Sequence, residues 1–218
     1  MKQFIVLGLG RFGSAVATTL AEMGYEVLGV DTDVERVNDL KNKITEVVQA
    51  DISDEKVLTE LGAKNFDAAI VGVGSNLESS ILTTIILKEM GIKYIIAKAQ
   101  NNFHAKVLEK IGVDKIVFPE RDMGIRIARS LITPNIKDYI ELEPDYSVIE
   151  IEAPSNFEDK TLSELDLRNK YGINVLAIKR DNNFNISPHA KDVIKKGDFL
   201  IVIGETEKIT KLVNNSNK

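Results

Sequence analysis

Up to Phe118 the chain alternates short apolar runs with longer amphipathic stretches. The runs Phe4–Leu7, Glu26–Val30, Glu46–Gln49, Ala68–Val73, Tyr94–Ala97 and Lys115–Phe118 read as strands. Helical patterns fill the gaps at Phe12–Met23, Asp33–Lys41, Ser53–Leu61, Asn76–Met90 and His104–Ile111. Asp33 and Ser53 stand where N-caps belong, and Gly24, Gly62, Gly91 and Gly112 fall just past helix C-termini. Strands joined by five crossover helices predict an α/β fold, a doubly wound parallel sheet of the Rossmann type.

Pro119 ends that alternation. A helix is expected from about Glu120 to Leu131, with Met123, Ile127 and Leu131 on one face, before the breaker Thr133-Pro134-Asn135. It follows a complete sheet, so it serves either as a packed terminal helix or as a crossover arm to another subunit. Beyond it Tyr146–Glu152 alternates as a half-buried strand does, and Thr161–Asn169 reads as a short capped helix. Strands are expected at Asn174–Lys179 and Asp198–Ile203, with a turn at Asp181-Asn182-Asn183 and a closing helix at Thr206–Val213. The expected organisation is a nucleotide-binding domain at 1–119, a crossover helix at 120–134 and a small α+β domain at 135–218, with a frayed tail from Asn214.

Chemistry enters at the first strand. Phe4-Ile-Val-Leu-Gly-Leu-Gly-Arg-Phe-Gly13 is an apolar run followed by G-x-G-x-x-G, and Asp31 closes the next apolar run. The bare motif is weak; a strand before it, a helix after it and an acid at the end of the second strand make it a dinucleotide-type fingerprint. Gly8 makes the tight turn, Gly10 lets the backbone approach a phosphate, and Gly13 lets the helix pack on the sheet. The helix beginning near Phe12 offers unpaired N–H groups to an anion. Asp31 suits a ribose diol, which favours ATP, ADP or NAD(H) over NADP(H). Arg11 is placed to reach terminal phosphates. Thr32 and Asp33 follow in the loop, and Asp33 either contacts the ligand or merely caps the next helix. Ligands of such sheets bind outside the strand carboxyl ends, so Asp51, Ile52, Val73, Gly74, Ser75, Lys98, Ala99, Gln100, His104 and Glu120 form the expected wall. A carboxylate at Glu120 near phosphate oxygens calls for a cation between them, Mg²⁺ or Ca²⁺.

The bulk composition narrows the class. The 218 residues are 44% hydrophobic and 28% charged, which supports folded domains with an ample core. A formal net charge of −5 argues against a nucleic-acid partner. With no cysteine, disulfides, thiolate metal sites and cysteine nucleophiles are excluded. No signal-type segment or membrane-length apolar stretch occurs, so a cytoplasmic chain without direct membrane insertion is expected. His104 and His189 lie in different domains, with no nucleophile elbow and no metal-spaced cluster. That pattern favours a non-enzymatic sensor over the alternative, a small NAD-dependent oxidoreductase.

Taken together these segments resemble the RCK family of potassium-conductance regulators, and within it the cytosolic KtrA-type subunits of Ktr uptake systems, related to TrkA. The resemblance rests on the glycine loop, Glu26–Asp31, Asn76–Leu87, Ala97-Lys-Ala-Gln-Asn101, Val107–Gly112 and Phe118-Pro-Glu-Arg-Asp-Met-Gly124, and continues through Lys170–Lys179 and Ile186-Ser-Pro188. It implies dimers assembling into an octameric ring docked on a membrane-embedded potassium-translocating subunit, with ATP activating and ADP inhibiting. It also implies nucleotide roles for Arg11, Asp31, Asp51, Lys98, His104 and Glu120, and an intersubunit cation at Glu120. Relatives bind cyclic di-AMP between C-terminal domains, and Arg168, Asn174, Val175, Ile186 and Pro188 lie in the matching segments.

Overall fold

A computed structural model describes residues 2–74, 76–132, 136–143, 145–181 and 183–215. The chain divides into two compact units, Met1–Asp122 and Met123–Lys218.

The first unit runs β1 Gln3–Leu7, α1 Arg11–Glu22, β2 Glu26–Asp31, α2 Val34–Leu40, β3 Glu46–Gln49, α3 Glu55–Glu60, β4 Ala68–Val71, α4 Leu77–Glu89, β5 Ile95–Lys98, α5 Asn102–Ile111 and β6 Lys115–Val117. All strand pairs are parallel, in the order β3-β2-β1-β4-β5-β6. The expected doubly wound sheet is present. Both faces are covered, which is why its strands read as unbroken apolar runs. Ile5, Leu7 and Val71 pack on one side with Ile86, Leu87 and Leu108. Val6, Val27 and Ile70 pack on the other with Ala17 and Leu40. The four glycines expected past helix ends all lie at positive φ. One cap differs. Asp54 caps α3 through Lys56 N, and Ser53 instead bonds its hydroxyl to that of Ser79 at 2.7 Å.

Helix α6, Pro119–Ile132, carries the chain out of this unit; Met123, Ile127 and Leu131 are exposed on it. The expected breaker at Thr133-Pro134-Asn135 lies outside the described residues. The second unit contains β7 Ile136–Glu143, β8 Tyr146–Glu152, α7 Leu162–Leu165, α8 Leu167–Tyr171, β9 Asn174–Arg180, β10 Asn183–Asn185, β11 Phe199–Glu205 and α9 Thr206–Asn215. Its sheet is antiparallel, ordered β10-β9-β11-β8-β7. Ile149, Ile151, Leu200 and Val202 face a core completed by Leu165, Leu167, Ile209 and Leu212. Strands β7 and β10 have no counterpart in the sequence reading, and the single helix at Thr161–Asn169 is two short ones, broken where Asp166 adopts a left-handed conformation. The cap expected at Thr161 is present, as a capping box with Glu164.

Candidate functional site

The six parallel strands deliver their loops to one edge. In the strand order, β1 and β4 are neighbours from which the chain leaves toward opposite faces of the sheet. This is the switch point at which such sheets form a crevice. Helices α1 and α4 both begin there.

The three glycines of the first loop do different work. Gly8 has φ +94°, and a Cβ on it would come 2.7 Å from Val73 Cγ2 and 2.9 Å from Val73 N. A Cβ on Gly13 would lie 1.9 Å from the Gly8 carbonyl oxygen. The fold itself requires both to be glycine. At Gly10 a Cβ would meet nothing within 4 Å. No neighbour among the described residues accounts for that glycine. Gly10 also caps α1 without a side-chain hydrogen bond, and the first turn holds no acid. The free N–H groups and positive end of the helix therefore face the crevice.

A cavity of about 910 Å³ opens at this point. Of the residues expected from the sequence, Gly8, Gly10, Arg11, Phe12, Asp31, Thr32, Asp51, Ile52, Val73, Gly74, Lys98 and Glu120 line it. Ser75 lies outside the described residues. Gly13, Asp33, Ala99, Gln100 and His104 are not in its walls. Each has a structural reason. Gly13 is spent on packing, and Asp33 caps α2 through Glu35 N. Ala99 is core. Gln100 turns its amide onto the Gly74 carbonyl. His104 is fully buried, and its Nδ1 accepts the Gln100 N–H at 3.3 Å; burial lowers its pKa, which keeps the ring neutral.

The wall also holds residues that the sequence reading did not assign to the site. Ser14, Ser53, Asn76 and Ser79 add hydroxyl and amide groups, and Asn76 caps α4 through Ser79 N at 3.0 Å. Arg36, in α2, reaches back to Asp31. A basic residue one turn into the second helix was the only available signal for it.

Asp31 is 5% exposed, and its carboxylate is fixed by short contacts. Oδ2 accepts the Leu9 N–H at 2.6 Å and Oδ1 the Asp33 N–H at 2.9 Å. Across the crevice Lys98 Nζ donates to Glu120 Oε1 at 2.5 Å. That hydrogen bond, aided by the field of Lys98 and Arg11, holds the Glu120 carboxyl below its ordinary pKa. Among the described residues no three His, Asp or Glu side chains converge as a metal site.

In the second unit Arg168 lines a separate hollow of about 570 Å³ with Asn156, Tyr171, Lys208 and Lys211. Asn174, Val175, Ile186 and Pro188 are not in its walls. Within one chain, the five residues expected for cyclic di-AMP therefore do not share one hollow. Val175 packs against the core and Ile186 is 71% exposed.

A Rossmann-type unit with a phosphate-ready switch-point cavity, followed by an antiparallel α+β unit, defines the class. The TrkA-N domain family matches residues 4–119 and the TrkA-C domain family residues 146–216. Ktr system potassium uptake protein C of Bacillus subtilis (strain 168) is 49% identical over 96% of this chain and 95% of its own length. Ktr system potassium uptake protein A of the same organism is 44% identical over 98% and 96%. A crystal structure of the GsuK RCK domain shares the fold at a TM-score of 0.67 and 16% identity, over all of this chain and 48% of that one. The chain belongs to the Ktr/TrkA family of potassium-uptake proteins and has the RCK-domain fold. Among the described residues no helix is long and apolar enough to cross a membrane.

Proposed function

We propose that this chain is a cytosolic regulatory subunit of a potassium-uptake system, gated by an adenine nucleotide held at the β1/β4 crevice. The observation that carries the reading is Gly10. It is a glycine with open space around it, at an uncapped helix N-terminus, opposite a carboxylate set for a ribose. In this reading Asp31 takes the ribose hydroxyls, the N-termini of α1 and α4 take the phosphates, and Arg11 and Lys98 neutralise the terminal ones. NAD(H) offers the same ribose.

Gating requires that ATP and ADP differ in their preference for two states of the assembly, so something must sense the γ-phosphate. The Lys98–Glu120 pair is suited to this. A terminal phosphate competes for Lys98, and the Glu120 carboxylate it releases can share Mg²⁺ or Ca²⁺ with phosphate oxygens. Glu120 sits on the first turn of α6, along which the chain leaves the first unit. Assembly into an octameric ring on a membrane-embedded potassium-translocating subunit, and cyclic di-AMP binding by paired second units through Arg168, complete the proposal.

Potassium flux into proteoliposomes carrying the membrane subunit tests it. Flux is expected to rise with ATP and fall with ADP, and Glu120→Gln is expected to blunt the difference and its cation dependence. Equal flux with both nucleotides in the native complex would refute nucleotide gating.

A further inference from the structure

Asp31 faces more donors than it has acceptor sites. An ionised carboxylate offers about four lone-pair positions. Three are filled by the protein. Oδ2 accepts from Leu9 N at 2.6 Å and from Arg36 Nη1 at 3.3 Å, and Oδ1 accepts from Asp33 N at 2.9 Å. A ribose brings two hydroxyl donors, yet only one position, on Oδ1, is open.

One of the three bonds is built to yield. The Arg36 contact is longer than the roughly 2.7–2.9 Å of a strong charge-assisted bond. Its side chain is 49% exposed, while the Leu9 and Asp33 N–H groups are fixed in the backbone. Arg36 can leave Asp31 and keep an ion pair, because its Nε already lies 3.4 Å from Asp33 Oδ2. It stands in the cavity wall, so a ligand entering there meets it.

We propose that Arg36 is a specificity-determining residue that competes with a ribose hydroxyl for Asp31, and so sets how far the site separates ribonucleotides from 2′-deoxyribonucleotides. The proposal rests on reading the cavity as a nucleotide site. A deoxynucleotide offers one hydroxyl at that end, which the open Oδ1 position serves with Arg36 in place. A ribonucleotide gains its second bond only by turning Arg36 out toward Asp33. The second hydroxyl is thereby worth less in the native protein than the same hydroxyl facing an uncontested carboxylate.

The test is a calorimetric titration of the full chain with ATP and with 2′-deoxyATP. Arg36→Met keeps an unbranched apolar stem and removes the competing guanidinium. The ATP-to-deoxyATP affinity ratio is expected to rise about tenfold, the scale of one hydrogen bond to a charged group. Asp33→Asn retains a good N-cap but weakens the alternative berth, and is expected to lower the ratio below the native value. An unchanged or smaller ratio in Arg36→Met overturns the proposal. So does an equal loss of both nucleotides, which would make Arg36 a direct ligand contact. Absence of any ATP binding by the native chain would instead refute the nucleotide reading on which the proposal rests.

Discussion

The two units bury their sheets in different ways, and their polar residues are distributed accordingly. In the first, helices cover both faces of a parallel sheet, so Val6 and Leu7, neighbours in sequence, are both fully buried. Ionic chemistry is pushed to the carboxyl edge, where Asp31, Lys98 and Glu120 meet one cavity. In the second, an antiparallel sheet has a covered face and an open one. Polar pairs therefore run across the strands, as Lys179 does to Glu150 at 3.1 Å. Among its described residues the one deeply buried acid, Asp198, is a staple. Arg180 donates to both its oxygens at 2.7 Å, joining the end of β9 to the start of β11. Topology gives the first unit a built crevice; the second relies on particular side-chain ties.

The largest effect is expected from the loop that the first unit cannot relax. Gly13→Ala drives a methyl to 1.9 Å from a backbone oxygen, and overpacking that only backbone movement can relieve is expected to cost about 3 kcal/mol or more. Urea denaturation followed by hydrogen exchange in β1 and β4 measures it. A stability change under about 1 kcal/mol would mean that the glycine is not required by packing.

The corresponding break in the second unit is Asp198→Ala, which strips a paired charge from a buried site and is expected to cost about 3 kcal/mol. Burial pushes the Asp198 carboxyl up, but hydrogen bonds from Arg180 and the Lys195 N–H outweigh it and leave the pKa lowered. A depressed folded pKa stabilises above the unfolded value of about 4 and is lost as pH falls through the folded value. Protection of β9 and β11 amides should thus weaken on acidification below about pH 4 in the native chain, and Asp198→Asn should flatten that dependence. Identical acid profiles for the two would assign the loss to other carboxylates.

These contrasts explain what could be read in advance. In the parallel unit, burial on both faces made each strand a continuous apolar run and placed the edge residues by topology alone. Most of the wall was therefore visible as loop residues after strands. Arg36 and Ser79 were not, because they lie on helices, and Asn76 was read only as the start of α4. Ala99, Gln100 and His104 followed the right strand but turn into the core or onto neighbouring backbone. The Ser53 cap was misplaced by one residue because Asp54 competes for the same role. In the antiparallel unit, β7 is interrupted by register shifts on both sides of its middle, which blur strict alternation. The break at Asp166 left no signal either, since aspartate is a less common left-handed residue than glycine.

Smaller effects sharpen the comparison. Asp31→Ala is expected to weaken ATP, ADP and NADH together by about 1.5–3 kcal/mol, because all share the diol, while leaving the second unit's exchange pattern untouched. Loss confined to one nucleotide would move Asp31 away from the ribose. Smallest is the Lys98–Glu120 pair, whose carboxylate is exposed while its lysine is largely buried. Its lowered carboxyl pKa makes its contribution full above the ordinary carboxylate range and lost as pH falls through the lowered value. With Glu120 62% exposed, Glu120→Gln is expected to change stability by under about 1 kcal/mol. A larger thermal shift without ligand would make the pair a structural tie rather than a responsive one.

The central claim is that Gly10 is kept free for a ligand. Calorimetric titration of ATP into the Gly10→Val chain tests it most directly, because the added Cβ meets no atom of the described residues within 4 Å while Gly10 lines the cavity proposed to take the nucleotide. The account predicts a folded protein, with stability within about 1 kcal/mol of the native chain, that no longer binds ATP. Native-strength ATP binding by the folded Gly10→Val chain would contradict it.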